Sequence, residues 1–136
     1  MKIRVYYEDT DALGIVYHAN YLKYIERARS ETFFAIGRRP ENADSHFVVR
    51  SMRVNFVKSA KLGDLLEARS RLKQLRAASF WLEQELWLDQ TLIFFAEVEI
   101  VCARKAKPVK IDEQIKRLLL DAFDVSNDGA PPLFGY

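Results

Sequence analysis

The chain has 136 residues and a mass of 15.8 kDa, a length that fits one domain built on one core, so residues 1–136 are read as a single domain. Hydrophobic residues make up 49% and charged residues 29%, the balance of a soluble globular protein rather than a disordered chain, and no apolar run approaches the roughly 20 residues a membrane-spanning helix needs. Twenty-one basic residues against nineteen acidic ones leave a net charge of +2, too weak for the electrostatic footprint of a dedicated nucleic-acid binder.

The start, MKIRVYYEDTD, meets acidic residues before any signal-peptide core could form, so a cytoplasmic location is expected. Cys102 is the only cysteine, which excludes an intrachain disulfide and a zinc site built from several cysteines. Within AEVEIVCAR it reads as a small buried apolar residue rather than a catalytic thiol.

KIRVYYE, residues 2–8, is rich in β-branched and aromatic side chains and predicts a first strand that stops at the polar cluster from Glu8 to Asp11. Asn20 is a suitable cap for exposed helix amides, and YLKYIERARSETFFAI after it predicts a long helix ending at Gly37, a left-handed terminator. Leu22, Ile25, Phe33 and Ile36 recur at near-helical spacing, and Tyr21, Tyr24, Ala28 and Ala35 widen the apolar surface, so most of this helix should be buried. Arg27 with Glu31, and Glu26 with Arg29, are spaced for ion pairs along its surface.

Four strands are expected next, over residues 48–57, 64–75, 79–88 and 92–103. In the first, Val48, Met52, Val54 and Phe56 alternate with Ser51, Arg53 and Asn55, while Val49, Arg50 and Val57 break the alternation. Leu66, Ala68 and Leu72 oppose Glu67, Arg69, Arg71 and Lys73 in the second. Phe80, Leu82, Leu86 and Leu88 share a side of the third, and Phe94, Ala96, Val98, Ile100 and Cys102 a side of the fourth, with a tight hairpin at Asp89 and Gln90 between them. DEQIKRLLLDAF, residues 112–123, predicts a short closing helix with Asp112 near its start, and the Gly- and Pro-containing DVSNDGAPPLFGY, residues 124–136, reads as a tail.

A strand, a long helix and then a run of antiparallel strands argue for an α+β domain in which one sheet covers one helix. Trp81, Trp87, Ile93, Phe95 and Val101 fall on the opposite strand faces, where a second copy of the chain is the simplest cover.

The stretch YYEDTDALGIVYHANYLKYIERARSE, residues 6–31, gathers polar groups between the first strand and the helix. Asp9, Asp11 and Gly14 are ordinary turn and cap residues, and a loop histidine such as His18 is commonly a hydrogen-bonding turn residue. The functional reading has the loop from Thr10 to Ala19 folding back onto the helix start, where unsatisfied amides around His18 and Asn20, helped by the helix dipole, face a substrate carbonyl oxygen. A carboxylate at Asp11 beside such donors makes a minimal acyl-transfer site, and a thioester suits it because its thiolate leaves without a strong acid. A metal held by Asp9, Asp11 and His18 is disfavoured, since His46 is the only other histidine and no H-E-x-x-H spacing occurs. Tyr6 and Tyr7 are available to orient a ligand or to pack.

VYYEDTDALGIVYHANYLKYIERARSE, extended by FVVRSMRVNFVKSAKLGDLLEA, closely resembles the hotdog-fold acyl-CoA thioesterases of the YbgC type, associated with the Tol-Pal envelope system, and more distantly the 4-hydroxybenzoyl-CoA thioesterases. The resemblance runs to about Arg104. It implies a hotdog fold, a curved antiparallel sheet wrapped around one long central helix, in dimers that share a sheet and pair into homotetramers with active sites at the dimer interface. It implies an acyl-CoA substrate, no cofactor or metal, no stable membrane insertion, and association with Tol-Pal or lipid-synthesis proteins. Carried over by motif, Asp11 is the catalytic carboxylate, as base or as nucleophile. The backbone amide at His18 polarises the thioester carbonyl and its imidazole matches the family histidine. Tyr7, Gly14, Val16 and Tyr17 fall at substrate-binding positions. Leu13 replaces a small residue common in relatives, Asn55 an acidic one and Ser59 a proline. A catalytically idle acyl-CoA- or protein-binding hotdog module, and a thioesterase acting on acyl carrier protein, are the alternative functions. Lys58, Lys61, Arg76, Arg104 and Lys107 are candidate partners for coenzyme A phosphates.

Overall fold

A computed structural model describes residues 1–42 and 44–126, residue 42 by its backbone alone. The described elements are β1 (Lys2–Arg4), a single 3₁₀ turn (Tyr7–Asp9), α1 (His18–Phe34), β2 (Glu41–Asn42), β3 (Ser45–Phe56), β4 (Leu65–Leu75), β5 (Ser79–Leu88), β6 (Thr91–Arg104), β7 (Lys107–Pro108), α2 (Glu113–Ala122) and β8 (Asp124–Val125). The strands form one sheet in the order β1-β4-β5-β6-β3-β2, with β7 on β6 and β8 parallel to β4. The predicted tail therefore begins with two residues in the sheet, and Ser126 N–H donates to Leu72 O at 2.8 Å. Its remainder, residues 127–136, lies outside the described residues.

The concave face of the sheet wraps α1. Tyr21, Tyr24, Ile25, Ala28 and Phe33 of the helix are buried in one cluster with Leu66, Ala68 and Leu72 of β4, Phe80, Leu82 and Leu86 of β5, and Phe94, Ala96, Val98, Ile100 and Cys102 of β6. These are the apolar sides that strand alternation assigns to the core, and each large side chain contributes about 1.5–3 kcal/mol by leaving water. Ile115, Leu118 and Leu119 of α2 close the same cluster, with the Asp112 carboxylate capping that helix through Ile115 N–H at 2.9 Å.

Several expectations shift in detail. The first strand stops at Arg4 because Asp9 accepts the Tyr6 N–H at 2.8 Å and closes a 3₁₀ turn instead. The helix starts at His18, before Asn20, whose side-chain amide donates to Asp9 O at 2.9 Å and so tethers the loop rather than capping the helix. Its end is as expected: Gly37 sits at φ +71°, and Arg38 N–H and Gly37 N–H return to Phe33 O and Phe34 O, both at 2.9 Å, the paired closure a left-handed glycine permits. Ile36, beyond the last helical turn, is exposed rather than on the core face.

The irregular patterning around Arg50 has a physical cause. The register of β3 against β6 slips between Val49 and Ser51, and a bulge residue switches which face the following side chains occupy. Phe47 packs inward before the slip, and Met52 and Val54 after it. The helix-surface ion pairs do not form: Arg29 turns inward and donates to Gln84 Oε1 at 3.0 Å, and Arg27 and Glu31 stand apart on an exposed face. Of the residues expected on the outer sheet face, Ile93 instead joins the core cluster, at a register slip of β5 against β6, and Phe95 is already buried within one chain, so a second copy is not needed to cover them, while Arg69 stacks over Trp87 at 4.8 Å. Among the described residues no helix is long and apolar enough to cross a membrane.

Candidate active site

Residues 10–17 form a small return that delivers the chain to the start of α1. Thr10 and Val16 bridge, Asp11 N–H donates to Ile15 O at 2.9 Å, and Tyr17 N–H donates to Asp9 O at 2.9 Å. Gly14, at φ +79°, makes the reversal, and its N–H closes on Asp11 O at 3.0 Å. Asp11 is thus the first residue of a turn whose end leads into the helix. Leu13 N–H donates to Asp11 Oδ1 at 2.8 Å, and Oδ2 takes no hydrogen bond among the described residues. The carboxylate is held by its own turn on one oxygen and open on the other.

The helix start is the complementary half. Tyr17 occupies the cap position without a side-chain hydrogen bond, and the first turn carries no acidic residue. A helix leaves its first amides without intrahelical acceptors, so the N–H groups at His18 and Ala19 remain available at the positive end of the dipole. The His18 ring is exposed, lies 4.5 Å from the Tyr17 ring and meets Phe56 edge-on at 6.1 Å. It makes no hydrogen bond or ion pair with Asp11.

Ala60 pins this geometry from below. Fully buried, it accepts the Val16 N–H at 2.9 Å and donates its own N–H to Tyr21 Oη at 3.0 Å, so one residue fixes both the loop and the first turn of the helix. Asp9 is occupied structurally, through Tyr6 N–H and the Asn20 tether to its carbonyl. Among the proposed lining residues Tyr7 is 81% exposed and Tyr17 is 48% exposed, whereas Val16 at 3% sits in the core and offers the site only backbone. Leu13, Phe56, Val57 and Leu62 add exposed apolar surface around the same loop. The roles of Ala60, Tyr21 and Phe56 carry no local sequence signal, because the contacts that give them meaning join segments 39 or so positions apart. Lys58 and Lys61 flank Ala60 at this end of the sheet, and Lys61 bridges Ile15. Arg76, Arg104 and Lys107 cluster at the other end, where Arg76 N–H meets Ser79 O and Arg104 pairs with Lys107. Cys102 is buried and burial pushes its thiol up, which suits the core role assigned to it.

A long central helix wrapped by a curved antiparallel sheet, with a carboxylate loop leading into an uncapped helix start, defines a hotdog-fold protein. The model of the Thioesterase superfamily matches residues 13–94, and this chain belongs to that family. The chain is 42% identical over 130 positions to the acyl-CoA thioesterase YbgC of Helicobacter pylori, covering 88% of this chain and 98% of that protein. It is 39% identical over 119 positions to the acyl-CoA thioester hydrolase YbgC of Escherichia coli O157:H7, covering 83% and 89%. Among solved structures, one described as a probable thioesterase from Bartonella henselae superposes with a TM-score of 0.76 at 34% identity, covering 82% of this chain and 97% of that one.

Proposed function

We propose that the protein hydrolyses acyl-CoA thioesters to free carboxylic acid and coenzyme A, with Asp11 as the reacting carboxylate. The observation that carries the reading is the half-anchored carboxylate, one oxygen fixed by Leu13 N–H and the other open, on a turn that ends at a helix start with no side-chain cap. The amides at His18 and Ala19 receive the carbonyl oxygen as it gains charge, which favours the tetrahedral state over the ground state. Asp11 Oδ2 then either takes a proton from a water that attacks the carbonyl carbon, or attacks that carbon itself. In the first route the tetrahedral state collapses with C–S cleavage, releasing the thiolate and the free acid; in the second C–S cleavage releases the thiolate as a mixed anhydride forms on Asp11, and water then cleaves the anhydride to the free acid and the Asp11 carboxylate. The His18 imidazole, exposed beside Tyr17 and Phe56, orients the acyl group or the water. Tyr7, Tyr17 and Leu13 supply apolar lining, Gly14 and Val16 shape the loop, and Lys58 and Lys61 are the phosphate partners nearest the site within one chain.

A second copy completes this surface. Beyond its short pairing with β2 at Ser45 and His46, β3 has β6 on one side only among the described residues. A long open edge is a template for another strand. The exposed Val48, Val49 and Phe56 along it support a homodimer with one continuous sheet, which sets the apolar collar of the Asp11 loop against the partner.

The test is thiol release from a panel of short, medium and aromatic acyl-CoAs and from acyl carrier protein thioesters. Asp11→Asn should lower kcat by about 10²–10⁴-fold with unchanged circular dichroism. Tight acyl-CoA binding without release across the panel would identify a binding module instead, and release confined to carrier-protein thioesters would move the substrate class.

A further inference from the structure

One backbone carbonyl joins the two halves of the candidate site. Asp9 O accepts the Tyr17 N–H at 2.9 Å, which closes the base of the return over residues 9–17, and it also accepts the Asn20 side-chain amide at 2.9 Å. The first bond ties the loop to itself. The second ties it to the helix, since Asn20 is the third residue of α1. Asp9 is anchored on its other side as well, its carboxylate accepting the Tyr6 N–H at 2.8 Å. Asp11 lies two residues beyond this carbonyl, and the His18 amide follows the Tyr17 N–H that the carbonyl holds.

The helix itself gives little reason for an asparagine at this position. Asparagine is a modest helix former, and the positive end of the dipole would favour a carboxylate, yet the first turn carries no acidic residue. An amide meets two requirements that a carboxylate fails. It donates to a carbonyl oxygen, and it brings no negative charge to the His18 and Ala19 amides, which have to attract an oxygen that is gaining charge.

We infer that Asn20 is a positioning residue: by fixing Asp9 O to the first turn of α1, its side-chain amide sets the separation between the Asp11 carboxylate and the amides at His18 and Ala19. This role rests on Asp11 being the reacting carboxylate, and it acts through the loop rather than on the substrate. A misplacement of about 1 Å between reacting groups costs on the order of 10²-fold in rate, so a small slackening of the loop against the helix is enough to be measured. The remaining bonds of the loop survive without Asn20: Tyr17 N–H to Asp9 O, Asp11 N–H to Ile15 O and Val16 N–H to Ala60 O, all at 2.9 Å. Losing the tether therefore loosens the site without unfolding it.

Asn20→Ala, Asn20→Asp and Asp11→Asn are to be compared with the wild-type protein by acyl-CoA turnover, thermal melts and amide hydrogen exchange. Asn20→Ala should lower kcat by about 10–100-fold and leave KM within about twofold. Asn20→Asp should melt higher than Asn20→Ala, because a carboxylate in the first turn suits the dipole. It should nevertheless turn over more slowly, because it offers no donor at neutral pH and sets a negative charge beside the oxyanion amides. An asparagine that only supports the fold would instead make activity follow stability across the two variants. In both, exchange at the Tyr17 and Asp11 amides should quicken at least about tenfold, while the Ala60 amide, held by Tyr21 Oη, stays as it was. Should Asn20→Ala fail to fold, Asn20→Asp decides by the same kinetics and exchange. Wild-type kcat in the folded variants, a loss confined to KM, activity that tracks stability, or unchanged exchange at Tyr17 and Asp11 would overturn the assignment. Full activity in Asp11→Asn would remove the reacting carboxylate and this role with it, whereas an inactive Asp11→Asn beside a fully active Asn20→Ala would remove the positioning role alone.

Discussion

Tyr24 and Asp11 show how differently two polar side chains of the same region are used. Asp11 is half-buried and keeps one oxygen without a hydrogen bond among the described residues, whereas the Tyr24 hydroxyl is buried with no hydrogen-bond partner among them. Burial, reinforced by the nearby Asp9 carboxylate, pushes the Tyr24 phenol well above its ordinary value near 10. Burial likewise raises Tyr21 and Cys102. Each group binds its proton more tightly in the folded chain than in the unfolded one, so its contribution is complete below the unfolded pKa and is lost as pH rises through the folded one. Stability measured by urea denaturation should therefore hold from neutrality to about pH 9 and fall steeply above about pH 10. Tyr24→Phe should flatten that alkaline fall; an unchanged slope would place the Tyr24 hydroxyl in contact with water.

At the scale of elements, two turns do the positioning. Gly14 and Gly37 both adopt positive φ, and a Cβ at either would meet nothing within 4 Å. The penalty for a side chain is thus conformational rather than steric, about 1–2 kcal/mol for an alanine in the left-handed region. Gly14→Ala and Gly37→Ala should accordingly cost similar stability in thermal melts. Only Gly14→Ala should also lower kcat, because Gly14 N–H closes the turn on Asp11 whereas Gly37 ends the helix far from the loop. Equal kinetic effects of the two substitutions would mean that the Asp11 turn is not the reacting element. The bulge at Arg50 acts in the same way, converting an interrupted alternation into two inward-facing runs on one strand.

For the whole molecule, the open edge of β3 links assembly to chemistry. Val48 is 48% exposed, and a charge there should block edge-to-edge pairing, the device by which natural sheets protect such strands. Val48→Lys should shift the protein to a monomer in sedimentation velocity, keep its circular dichroism, and lose turnover in proportion to the dimer lost. A fully active monomer would show that each chain carries a complete site.

Much of this protein is legible in its sequence, because strand and helix periods act over a few residues. The inward rows on β4, β5 and β6, the Gly37 stop, the Asp112 cap and the hairpin at Asp89 follow from local spacing, and the loop before α1 is recognisable as a motif. Local signals were less informative wherever a side chain had two possible partners. Asp9 drew the first strand into a turn, Asn20 tethered a loop instead of capping a helix, and Arg29 chose Gln84 on a distant strand over Glu26 one turn away. The first two were settled by how the loop closes on itself, and the third only by the folded sheet, which brings the Gln84 oxygen beside the helix, as it brings the Ala60 N–H to Tyr21, at separations that no short-range pattern encodes.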